Sequence, residues 1–225
     1  MSAPLAVILD FNGTLSDDEP LLDRLFRAVL AEEAGIEMTS ADYFERFAGL
    51  SDPEIAESAL RAAGIDPSPA LLDRVLRAKV DGYLAAVEEE PPISHAATEF
   101  VEVLTDRIPV AIASGAFREE IESVLELAGI RDRFDAVVCI DDVEAGKPDP
   151  EGYLLAHERM SEACGSAVAA SDVLAIEDSA AGVAAAHQAG MRCAAVAGDA
   201  RAGEAADFVI DRLDAATAER LLGRG

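Results

Sequence analysis

The 225-residue chain predicts an α/β fold, a mostly parallel sheet covered by helices and interrupted near its start by a helical insertion. Three observations carry that expectation. Six strand-sized apolar runs punctuate the sequence, and from residue 96 onward they alternate with segments of helical periodicity. Such alternation is the pattern of a parallel sheet with helices on both faces. Between the first and second runs lie about 75 residues of helical pattern without a convincing strand, far longer than an ordinary crossover.

In chain order, the strand candidates are Leu5 to Leu9, Val110 to Ala113, Ala136 to Ile140, Val173 to Ile176, Cys193 to Val196 and Phe208 to Ile210. The later helix candidates are Ala97 to Leu104, Glu119 to Ala128, Gly152 to Met160 and Ala180 to Ala189. Within the insertion, Pro20 to Ala34, Ala41 to Phe47, Pro53 to Ala63 and Ala70 to Val87 carry helical periodicity, and Gly35, Gly49 and Gly64 mark breaks. The run Glu88-Glu89-Glu90-Pro91-Pro92 reads as the solvated return linker.

Composition limits the function. With 44 acidic and 18 basic residues the formal charge is -26, which repels nucleic-acid backbones and anionic membranes and excludes both as partners. An anionic ligand then needs a local positive group, and only Lys79 and Lys147 are lysines. Lys79 falls inside an amphipathic pattern and reads as a surface lysine. Cys139, Cys164 and Cys193 lack metal-type spacing and read as reduced packing residues, so a cytoplasmic setting is expected. No leader or membrane-spanning pattern is apparent, and nothing points to a partner protein.

Ligands of open parallel sheets bind outside the carboxyl ends of the strands, so the polar residues that end each run are the candidates. The first run ends in Asp10-Phe11-Asn12-Gly13-Thr14-Leu15, the second in Ser114-Gly115 and the fourth in Glu177-Asp178-Ser179; Gly146-Lys147-Pro148 follows the third. Taken singly, most of these have plain explanations as turn formers, helix caps or surface charges. Together they bring a carboxylate, a hydroxyl, a lysine and a second acidic pair to one edge.

These segments resemble, in order and at familiar spacing, the four motifs of the haloacid dehalogenase superfamily. The likeness is to its phosphatase and phosphoglucomutase-like members with a small helical cap, and it spans nearly the whole chain. It implies a Rossmann-like catalytic core of residues 1–15 and 94–225 with a cap of residues 16–93. It also implies a Mg²⁺-dependent phosphohydrolase of small phosphorylated metabolites that works through an aspartyl-phosphate.

The residue types suit those roles. Asp10 would attack phosphorus, dividing one displacement into two. Mg²⁺ prefers oxygen ligands and one or two carboxylates, here Asp10 and Asp178. Glu177 ranks below Asp178, because adjacent strand residues face opposite ways unless the chain turns. The backbone carbonyl of Asn12 would be a further ligand by the family pattern. Lys147 would screen Asp10 from the phosphate, Ser114 and Gly115 would bind its oxygens, and Gly13 and Thr14 would complete the cradle.

Asn12 departs from the family pattern. Phosphatases of this superfamily carry Asp there as general acid and base, and losing that function costs roughly 10² to 10⁴ in rate. Asp17, Asp18, Glu19 or His95 could substitute. Alternatively the protein binds a phosphorylated ligand with little turnover, or performs different chemistry as a dehalogenase, phosphonatase or mutase. Asp52 stands where hexose-phosphate mutases present an arginine, which argues against the last.

Overall fold

The computed structural model describes residues 2–223. Six parallel strands form one sheet in the order β3-β2-β1-β4-β5-β6. They are β1 (Ala6–Leu9), β2 (Val110–Ala113), β3 (Ala136–Val138), β4 (Val173–Glu177), β5 (Arg192–Val196) and β6 (Phe208–Ile210). Every residue of β1, β2 and β4 is buried, as continuous apolar runs require when both faces of a parallel sheet are covered.

Helices on each face bury alternate strand residues. Val7 and Leu9 of β1 pack toward α5 (His95–Thr105), α6 (Arg118–Leu127) and α10 (Ala215–Leu221). Ala6 and Ile8 pack toward α7 (Glu151–Cys164), α8 (Ala180–Gln188) and α9 (Ala200–Ala205). The chain builds β2 and β3 on one side of β1 and then crosses to β4 on the other. That reversal opens a crevice at the carboxyl ends of β1 and β4, where parallel sheets bind ligands.

The insertion after β1 is helical throughout: α1 (Glu19–Ala34), α2 (Ser40–Arg46), α3 (Asp52–Ala62) and α4 (Pro69–Glu89). Pro20 opens α1, and Gly35 ends it in the left-handed conformation. The α1 stripe Leu22, Phe26, Val29 and Leu30 is buried and joins the same apolar cluster as Val75, Tyr83 and Val87 of α4. The two crossings of the insertion lie side by side, Asp17 N donating to Pro92 O at 2.9 Å. Among the described residues no helix is long and apolar enough to cross a membrane. Cys139, Cys164 and Cys193 are free, the first and last fully buried.

The structure departs from the sequence pattern in a few places. The third run is strand only to Val138, because Ile140–Asp142 winds into a 3-10 turn with the Asp142 carboxylate accepting from Cys139 N at 2.9 Å. The fourth strand extends one residue further, to Glu177. Helices α9 and α10 are short and were not anticipated. Lys79 is wholly buried, contrary to its expected place on the surface.

Candidate active site

Asp10 follows the last residue of the central strand, and its amide donates to Ile176 O of β4 at 2.9 Å, so the two strand ends hold its backbone. The residue is only 6% exposed. Lys147 reaches it from the loop after β3, and the ammonium contacts Asp10 Oδ1 and Glu177 Oε1 together. Burial opposes charge on Lys147, but these two carboxylates outweigh it and hold the lysine protonated. Asp10 itself is pushed up to about 7, by burial first and then by Glu177, against the pull of Lys147.

Glu177 ends β4 with no exposed surface. Its Oε1 accepts from Tyr153 OH at 2.8 Å, and its Oε2 accepts from Ser179 Oγ at 3.0 Å and from the amides of Asp178 and Ser179 at 3.2 Å. The chain turns immediately after it. Glu177 and Asp178 therefore converge with Asp10, with one ligand oxygen from each all within 4.8 Å of one another, despite the alternation a continuing strand would impose. Gly182 makes room for this, because a Cβ there would lie 1.9 Å from Glu177 Oε1.

Asp178 has no protein donor on its carboxylate among the described residues, and burial followed by the charges of Asp10 and Glu177 pushes it up to about 9. Three crowded carboxylates against one lysine form an all-oxygen donor set that a hard divalent cation would relieve. The residues present fit such an ion. Thr14 Oγ1 is buried without a partner among the described residues, a polar atom left for a ligand or water. Gly13 adopts φ 73°, and a Cβ there would lie 2.1 Å from Asp178 Oδ2, so only glycine allows this backbone so close to the carboxylate.

Ser114 follows β2, and its hydroxyl donates to Asn12 Oδ1 at 3.4 Å and accepts from Ala116 N at 3.1 Å. Asn12 Nδ2 donates to Asp18 Oδ2 at 2.9 Å, and the same oxygen accepts from Ser16 Oγ at 2.7 Å and Tyr83 OH at 2.5 Å. Asn12 is thus locked between both sides of the cleft.

A cleft lies between this edge and the insertion. Asp10, Asn12, Gly115, Lys147 and Asp178 line it from the sheet, and Glu19, Tyr43, Ser51 and Asp52 from the insertion. Its free space is about 40 Å³, room for only a few waters. Thr14, Ser114 and Glu177 do not line it. Of the four possible substitutes for an acid at position 12, only Glu19 faces the cleft. Asp17 lies at the crossing of the insertion, His95 is 88% exposed beside Glu99, and Asp18 is 1% exposed and already bonded. Burial first, and then the neighbouring Asp18, pushes the Glu19 carboxyl up to about 7, against a hydrogen bond from Tyr43 OH at 3.3 Å.

Sequence reasoning missed Tyr153, which anchors Glu177, and the buried triad of Lys79, Asp52 and Glu120. Lys79 Nζ donates to Asp52 Oδ2 at 2.7 Å and to both oxygens of Glu120 at 2.8 Å. A signal existed: Lys79 stands four residues from both Val75 and Tyr83, in the middle of the buried stripe of α4.

Fold and cleft define a class, an α/β enzyme scaffold with a carboxylate and lysine cluster at the switch point of its sheet beneath a helical insertion. Within that class, the chain belongs to the haloacid dehalogenase-like hydrolase family, which matches residues 4–190. It is 35% identical over 187 residues to the phosphorylated carbohydrates phosphatase of Thermotoga maritima, covering 83% of this chain and 82% of that one. It is 30% identical over 216 residues to the chloroplastic 5-amino-6-(5-phospho-D-ribitylamino)uracil phosphatase of Arabidopsis thaliana. That alignment takes in 93% of this chain but only 55% of the longer relative. CbbY from Rhodobacter sphaeroides, solved in complex with phosphate, superposes with a TM-score of 0.80 at 26% identity over 93% of this chain and 95% of that one. The named relatives by sequence are phosphatases.

Proposed function

We propose that the protein is a Mg²⁺-dependent phosphatase of small phosphorylated metabolites, with residues 16–93 acting as a cap over a core of residues 1–15 and 94–225. The observation that carries it is the convergence of Asp10, Lys147, Glu177 and Asp178 at the switch point of the sheet. The phosphatase names of its relatives support the same reading, and the three free cysteines suit a cytoplasmic setting.

In this mechanism an oxygen of the Asp10 carboxylate attacks phosphorus, and the bond to the leaving oxygen breaks as Glu19 gives that oxygen a proton. Water then attacks the aspartyl-phosphate, its proton passing to Glu19, to release inorganic phosphate and restore Asp10. Lys147 offsets the charge between nucleophile and phosphate, and Ser114 with the amides of Asn12 and Gly115 receives the phosphate oxygens. Asp10, Asp178, the Asn12 carbonyl and, less directly, Glu177 would hold Mg²⁺. The ion supplies charge neutralisation and orientation of the phosphate. Glu177, with its oxygens already taken by Lys147, Tyr153 and Ser179, chiefly positions the lysine.

Asn12 cannot transfer a proton, so Glu19 takes that role from the cap side of the cleft. The test is phosphate release from sugar phosphates, nucleotides and aryl phosphates with and without Mg²⁺, comparing the native protein with Asn12→Asp. Turnover that needs Mg²⁺ and changes less than about tenfold in the variant supports Glu19 as the working acid. A gain of 10² or more means that the native protein lacks one. No turnover by either protein overturns the assignment as a phosphatase.

A further inference from the structure

We propose that the cap wall of the cleft restricts the enzyme to monophosphates whose leaving group is hydroxylated and either uncharged or cationic, with Asp52 as the discriminating residue. This rests on the phosphatase reading and narrows it.

The part of a substrate beyond its phosphate must lie against the wall opposite Asp10. That wall presents Glu19, Tyr43 and Asp52 among the apolar side chains of Leu22, Leu50 and Ile55. Among the described residues, the only basic one lining the cleft is Lys147, already engaged by Asp10 and Glu177. The other nearby cation, Lys79, has no exposed surface and is locked between Asp52 and Glu120, two carboxylates for one ammonium. The cap wall therefore offers no free positive charge, and Asp52 places a carboxylate, where a second phosphate or a carboxylate of the substrate would lie.

A helix end facing the cleft offers no compensation. The N terminus of α3 would ordinarily attract an anion. Here Glu54 already accepts from Ser51 N at 3.0 Å and from Ser51 Oγ at 2.6 Å, and Asp52 occupies the first turn. The Asp52 carboxylate instead accepts hydrogen bonds, which suits hydroxyl or ammonium donors on the leaving group. Asp52 also keeps Lys79 out of the cleft. Without it, the lysine would keep Glu120 but present its positive charge to the wall.

The experiment compares matched substrates, a hexitol or sugar monophosphate, its bisphosphate, a carboxylated phosphate ester and an amino-sugar monophosphate, by kcat/KM in Mg²⁺. The neutral and amino monophosphates are expected to exceed the bisphosphate and the carboxylated ester by about 100-fold. Asp52→Asn should raise the bisphosphate relative to the monophosphate by about tenfold, and adding Lys79→Met should abolish that gain. Equal or better use of the anionic esters by the native protein overturns the proposal, whatever the variants do. Calorimetric titration of the same four ligands into Asp10→Asn separates the two readings. Tighter binding of monophosphates by that variant, with no turnover by the native protein, sinks the phosphatase reading and keeps this one; binding without discrimination sinks this one alone.

Discussion

Replacing Lys147 by Met tests how far the site depends on the cation that lines its cleft. The ammonium contacts Asp10 and lies 2.5 Å from Glu177 Oε1, with its charge 5.5 Å from the centre of the Tyr153 ring. Methionine keeps most of the packing volume over that ring and removes the charge. A phosphate oxygen about 4 Å from the ammonium, at an effective dielectric of about 20, gains about 4 kcal/mol, and each 1.36 kcal/mol is about tenfold in rate. The expected loss in kcat/KM is therefore about 10³.

A second effect adds to the first. Lys147 lowers the pKa of Asp10, which burial and Glu177 already hold up at about 7. Without the lysine Asp10 keeps its proton to higher pH, and because the carboxylate is the attacking form, the rising limb of the pH–rate profile should move to higher pH. Steady-state kinetics from pH 5 to about pH 9 at saturating Mg²⁺, with a melting curve to show that the variant is folded, reads both effects. A folded variant within about threefold of native activity, with its limb unmoved, would refute the placement of Lys147 between nucleophile and phosphate.

Glu19→Gln should lower kcat by about 10² and abolish the fall in rate above about pH 7 that loss of the Glu19 proton produces in the native protein. Asn12→Asp should restore much of that loss in the Glu19→Gln background. Asp178→Ala should raise the Mg²⁺ concentration needed for half-maximal activity by at least about tenfold, and chelation should silence the native protein reversibly. Gly182→Ala places a methyl on the Glu177 carboxylate; it should cost about 1–3 kcal/mol in denaturant unfolding and lower activity as the lysine loses its anchor.

The sheet was legible because its central strands β1, β2 and β4 are buried on both faces and read as unbroken apolar runs. The cleft was legible because its lining gathers where those runs stop, as at Asp10, Gly115 and Asp178. What escaped the sequence depends on tertiary neighbours. Lys79 reads as a surface residue by type, and only its partners Asp52 and Glu120, 27 and 41 residues away, make its burial tolerable. Glu177 and Asp178 should point apart in a strand, and only the turn after Glu177, with the space at Gly182, lets them converge. Among the four substitutes for an acid at position 12, sequence could not choose; the packing of α1 against the cleft singles out Glu19.

The central claim is that Asp10 is the nucleophile. Glu19 serves both steps, but with an aryl phosphate, whose leaving group needs little protonation, Glu19→Gln slows chiefly the breakdown of the aspartyl-phosphate and should accumulate the intermediate. Acid quenching of that variant during turnover, followed by peptide mass spectrometry, is predicted to find one phosphoryl group on the peptide containing Asp10, and none in a Glu19→Gln/Asp10→Ala double variant. Turnover without that adduct, or a phosphoryl group carried elsewhere on the chain, would contradict the account.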